Sequence, residues 1–187
     1  MESAHHDLDP ALEQDPVYPK WALSVVGCTL VALSALAVAN LFVGGAPPVR
    51  FIGAMMALGA LSQLRHALLV VGWGGFYPWL LSGALYGVAG LVVSYDPYLI
   101  SPASAVGVVL ALGASAILRM WTGLQLRPQA GWRWLALSGG FTVATGVVVA
   151  MGWPVDHAGL FGTVLAADLL VQGIAAVAFG LTLKPDH

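Results

Sequence analysis

Six long apolar runs divide this chain, and no soluble fold can house them. They cover about Trp21–Val43, Phe51–Val71, Phe76–Ser94, Ala103–Leu124, Trp132–Gly152 and Gly159–Leu181. Each is roughly 19–23 residues, enough at ~1.5 Å per residue to cross a hydrocarbon layer of ~30 Å with modest tilt. Backbone groups in lipid must bond within their own segment, so runs of this length are helices. The alternating ten-residue pattern of membrane strands is absent. Composition agrees: 59% of the 187 residues are hydrophobic and 9% charged, against roughly 25% charged in soluble domains. Mean hydropathy is +0.85.

The expected fold is therefore all-α, a polytopic membrane protein with six transmembrane helices. Short connections (Gly44-Gly45-Ala46-Pro47-Pro48, Gly72-Trp73-Gly74-Gly75, Asp96-Pro97, Arg127-Pro128 and Trp153-Pro154) make consecutive helices antiparallel. Three hairpins result, at 21–71, 76–124 and 132–181, within a membrane domain spanning 21–183. Residues 1–20 hold five of the nine acidic residues and three prolines and read as a short acidic arm. Residues 184–187 are a tail. The first 20 residues lack the basic and apolar regions of a signal peptide.

Lysine and arginine set the orientation. Lys20, Arg127, Arg133 and Lys184 fall on the side of both termini, and Arg50 alone on the other, with Asp96, Asp156 and His157. Both termini are expected in the cytoplasm, and a bacterial inner membrane is the expected location. A net charge of −2 gives nucleic acid no footprint. The bilayer is the one partner the composition demands. Cys28 is the sole cysteine, which excludes an intrachain disulfide. The adjacent His5 and His6 make a poor metal site alone.

The hairpins repeat. Trp21, Trp79 and Trp134 open the odd-numbered helices, and Arg65, Arg119 and Gln172 fall near one depth of the even-numbered ones, 54 and 53 residues apart. The repeats share one orientation, which predicts a parallel pseudo-threefold arrangement.

Polar residues within the runs are the candidate site. Asp168 lies about ten residues into the last run, so it is ~15 Å deep, and a carboxylate there costs at least ~2.5–3.5 kcal/mol. Gln172 is on the same face one turn on. Ser62, Arg65 and His66 share a face of the second helix, and Ser115, Arg119 and Thr122 a face of the fourth. Convergence of the even helices would form a buried layer of Arg65, His66, Arg119, Asp168 and Gln172, with both arginines sharing Asp168. Such a layer would serve an ion, proton or small anion, or simply glue helices together. Alternatively, both arginines snorkel to headgroups. Gly83, Gly87, Gly139, Gly140 and Gly173 are candidate close-packing positions, and Tyr86 within Gly83–Gly87 reads as packing. The Asp156-His157 pair reads as an ordinary solvated loop.

No HExxH, CxxC, GxSxG, P-loop or GxGxxG pattern occurs. No metal, cofactor or enzymatic activity is expected.

The segments Gly131-Trp132-Arg133-Trp134, Leu137-Ser138-Gly139-Gly140, Gly146, Trp153-Pro154 and Leu170-Val171-Gln172-Gly173-Ile174 resemble the HdeD-type acid-resistance membrane proteins. The resemblance spans about residues 18–183, is best in the last two hairpins, and implies a six-helix bacterial inner-membrane protein linked to acid stress. It carries over no catalytic residue and does not account for Asp168. Two functions are expected from different classes. One is a non-enzymatic HdeD-like protein with a channel- or transporter-like core. The other is a structural or accessory subunit of a homo-oligomer or larger membrane complex.

Overall fold

The computed structural model describes residues 20–44, 48–69, 76–127, 130–152 and 158–182. The acidic arm, the tail with Lys184, Trp73, Trp153, Asp156 and His157 lie outside the described residues. Among the described residues there are six helices: α1 (Lys20–Val43), α2 (Pro48–Leu69), α3 (Phe76–Tyr95), α4 (Pro102–Gln125), α5 (Trp132–Ala150) and α6 (Ala158–Thr182). All six are long and apolar enough to cross a membrane. The second starts three residues earlier than its apolar run. Pro48 is its first residue, where a missing N–H costs nothing and the fixed φ favours helix; Pro102 opens α4 in the same way.

The helices form a closed ring in chain order, with α6 returning to α1 and α2 also touching α6. Large apolar side chains such as Leu36, Leu61, Leu91, Leu110, Ile117, Leu137 and Val147 stay exposed on the outside. An outward surface of this kind fits lipid and not water. The tightest contacts are not within hairpins. They join α2 to α3, α4 to α5 and α6 to α1, each even helix to the odd helix of the next unit.

Glycines permit that closeness. A Cβ on Gly173 of α6 would stand 2.8 Å from Val31 N of α1, and one on Gly53 of α2 2.7 Å from Ser94 N of α3. At α4–α5, a Cβ on Gly139 would meet the Ala116 carbonyl at 2.9 Å. Gly83 and Gly87 face Gln63 and Ala60 of α2. The glycine motif of α3 is thus spent inside the chain. Gly140 departs from expectation: nothing lies within 4 Å of where its Cβ would be. It is one helical step from Gly139, which turns it about 100° away from α4.

Burial follows the repeat at an offset that differs from the arginine spacing. Residues 56 apart occupy equivalent buried positions: Ile52 and Val108, Met56 and Leu112, Ala60 and Ala116, Gln63 and Arg119. In the odd helices Leu23, Trp79 and Leu135 correspond at the same offset, as do Leu30 and Tyr86. From α4 to α6 the offset is 53, matching Leu112 to Leu165 and Arg119 to Gln172. The counterpart of Arg119 is therefore Gln63, not Arg65.

The turn between α4 and α5 is fastened at its ends. Arg127 stacks its guanidinium 4.0 Å over the Trp132 ring, and Thr182 Oγ1 donates to the Ala130 carbonyl at 2.9 Å. Gly131, with φ of +89°, supplies the left-handed residue ahead of α5.

Candidate functional site: a sealed polar layer

Asp168 projects from α6 into the middle of the ring and is fully buried. Its two oxygens are satisfied from three helices. Oδ1 accepts from Thr142 Oγ1 of α5 at 2.8 Å. Oδ2 accepts from Tyr86 Oη of α3 at 2.9 Å and from Gln172 Nε2, one turn along α6, at 2.6 Å. Hydrogen bonds to a charged acceptor are the strong ones, and three of them offset a large part of the cost of burying a carboxylate.

The network continues through amides. Gln63 Nε2 of α2 donates to Gln172 Oε1 at 3.3 Å, and Arg119 Nη2 of α4 donates to Gln63 Oε1 at 3.4 Å. The Arg119 guanidinium also lies 5.8 Å from the centre of the Tyr86 ring. One arginine and one aspartate thus occupy a common buried layer, linked by two glutamines and a tyrosine. The two formal charges cancel. Beside the layer, Ser82 and Ser115 pair reciprocally across α3–α4: their hydroxyls are 3.0 Å apart, and Ser115 Oγ donates to the Ser82 carbonyl at 2.9 Å. Ser34 Oγ ties α1 to the Ala166 carbonyl of α6 at 2.9 Å.

Of the five residues expected in the layer, Arg119, Asp168 and Gln172 come together. Arg65 does not. It is exposed, while its neighbours Gln63 and His66 are buried. At 100° per residue, Gln63, His66 and Ala67 share the inward face of α2, and Arg65 points outward. Arg119 does not snorkel, being only 6% exposed. His66 is buried one turn beyond Gln63, with its ring edge-on to Trp79 at a centroid distance of 5.6 Å. It belongs to the end of the bundle, not to the carboxylate's immediate shell.

Gln63, Tyr86 and Thr142 are the residues that sequence reasoning missed as site members. A signal existed. Gln63 and Arg119 are 56 residues apart, as are Tyr86 and Thr142, so one repeat register places all four at one level. Anchoring the repeat on the charged Arg65 concealed it.

Apolar clusters close the layer on both sides. Toward the termini, Leu23, Ala67, Trp79, Leu135 and Phe179 form one. Toward the other end, Ile52, Met56, Val93, Val108, Val149, Phe161 and Leu165 belong to the main core. Among the described residues, Arg119 Nη1 and Trp79 Nε1 are buried donors with no hydrogen-bond partner. Among the described residues, no three or more His, Cys, Asp or Glu side chains gather as a metal site would require.

Compared with family models, with curated proteins and with solved structures, the chain matches none.

Proposed function

We propose that this chain is a non-enzymatic, multi-pass protein of a bacterial inner membrane, of HdeD-like type, that works as a scaffold or accessory component and not as an open channel. One observation carries this reading: the Asp168 layer is capped by apolar side chains at each end, and both carboxylate oxygens are already hydrogen-bonded. A conducting path wants a hydrated carboxylate; a structural lock wants a satisfied one. The residues resembling HdeD proteins support a link to acid tolerance, and the lysine and arginine bias supports cytoplasmic termini.

Reconstitution tests the choice. Liposomes holding the full chain are expected to pass protons and chloride no faster than empty ones, with Asp168→Asn indistinguishable. Extracts of native membranes are expected to hold the chain in a discrete complex larger than a monomer. A wild-type flux that falls with Asp168→Asn would overturn the scaffold reading. It would favour a transport reading, for which the supporting observation is Arg119 Nη1, buried and without a hydrogen-bond partner among the described residues.

A further inference from the structure

Arg65, excluded from the buried layer, sits elsewhere with a cleft beside it. Between α1 and α2, near the end that carries the termini, lies a cleft of about 330 Å³. Trp21 and Val25 form one wall, Leu61 and Leu69 the other, and Thr29, Ser62, Arg65 and His66 supply the polar part. These two helices pack less closely than α2–α3 or α6–α1, because α1 brings its one glycine, Gly27, to α6.

Three features of the cleft point to one occupant. It opens on the outside of the ring, where Trp21, Leu61 and Leu69 are exposed, so acyl chains and not water are its surroundings. Arg65 is its single formal charge and has no ion pair among the described residues. It stands four residues before the end of α2, or about 6 Å along the axis, at the depth where a guanidinium reaches the phosphate plane. Trp21, at the start of α1, is an aromatic of the kind that settles at the headgroup boundary. An apolar trough, a cation at its mouth and an interfacial tryptophan are complementary to a molecule with a phosphate at one end and hydrocarbon at the other.

We infer that the α1–α2 cleft is a binding site for an anionic phospholipid, with the headgroup phosphate on Arg65 and one acyl chain lying between Val25 and Leu61. Ser62 adds little to phosphate binding, since its hydroxyl already donates to the Gly59 carbonyl at 2.7 Å. Specificity for an anionic lipid rests on charge and the fit of the chain rests on the trough, so the two are separable by mutation. The site is independent of Asp168 and stands whether the chain is a scaffold or a transporter.

The full chain, stripped of lipid in a neutral detergent, is titrated with phosphatidylglycerol, phosphatidylcholine and inorganic phosphate while thermal unfolding is followed. Phosphatidylglycerol is expected to raise the midpoint saturably, and the other two are not. Arg65→Gln should weaken the apparent affinity about fivefold, the worth of one interfacial cation, and Arg65→Lys should restore most of it. Leu61→Trp fills the trough while keeping the charge and should also abolish the saturable shift. Arg133→Gln, which removes an exposed cation at the same end but outside the cleft, should leave it intact. Equal shifts with phosphatidylcholine would mean an unspecific lipid belt, and a shift with phosphate alone a free-anion site. Either result, or an unchanged response in both Arg65→Gln and Leu61→Trp, would overturn the inference.

Discussion

At the scale of single residues, Asp168 is a fully buried carboxylate held by three hydrogen bonds. Asp168→Asn keeps the shape but replaces one of two acceptor oxygens with a donor NH2, removes the negative charge and leaves Arg119 as an uncompensated buried cation. Each lost hydrogen bond to the charged acceptor is worth about 1.5–3 kcal/mol, and the expected outcome is a large drop in unfolding midpoint in micelles. Tyr86→Phe deletes one hydrogen bond to a charged acceptor and should cost about 1.5–3 kcal/mol. The double change Asp168→Asn with Arg119→Gln should recover part of the loss of the single one, because charge neutrality returns. If the two losses simply add, the layer is not electrostatically coupled. A second carboxylate, Asp96, has a different task. Its Oδ2 accepts from Ser101 N at 3.0 Å and its Oδ1 from Ile100 N at 3.1 Å, after Leu99 has turned the chain with φ of +47°. The Ser101 amide first, and the Ile100 amide with it, hold the Asp96 carboxyl below its ordinary pKa. A depressed pKa stabilises the fold above the unfolded value of 3.8 and ceases to do so as pH falls through the folded value. Acid melting of Asp96→Ala should therefore converge with wild type below that range and diverge above it.

At the scale of elements, helix pairing is decided by where the glycines face. Gly173 meets the α1 backbone, so Gly173→Val must push α6 off α1 and should destabilise by about 1–3 kcal/mol. Gly140 has open space where its side chain would go, and Gly140→Ala should match wild type or gain a little helix propensity, ~1 kcal/mol at most. Detergent melting of the two variants side by side checks the contrast; a harmless Gly173→Val would mean that α1 and α6 are farther apart than described. The amphipathic signal that guides assignment in soluble helices is of no help here. Inside and outside are both apolar, and only small and polar residues distinguish the inward face.

At the scale of the whole molecule, the closure of α6 on α1 makes the fold a ring and not a row of hairpins. Ser34 and Ala166 meet across that seam. In a Cys28→Ser background, Ser34→Cys with Ala166→Cys is expected to cross-link within one chain under mild oxidation. Non-reducing electrophoresis reads the result, and absence of an intrachain species would mean that the ring is open. Closure also explains the layer: side chains of α3, α5 and α6 meet at one carboxylate, and those of α2 and α4 join them through Gln172 and Gln63, only if the helices surround a common axis. The lipid-facing cleft lies in one of the looser joints of the same ring, as the tight joints leave no room for an acyl chain.

The number of helices, their limits to within a few residues and the repeat in threes follow from the chain alone. Twenty apolar residues have one stable form in lipid, and Gly, Pro and charged residues punctuate it. That Asp168 needs company is equally plain from its depth. Which side chains provide it was decided by the tertiary structure, since a shift of two residues in repeat register turns a helix by about 200°. That rotation put Gln63 in the layer and Arg65 in the cleft. The roles of Tyr86 and Thr142 likewise depended on how closely neighbouring helices approach, a distance set by contacts between units and not by either helix's own sequence.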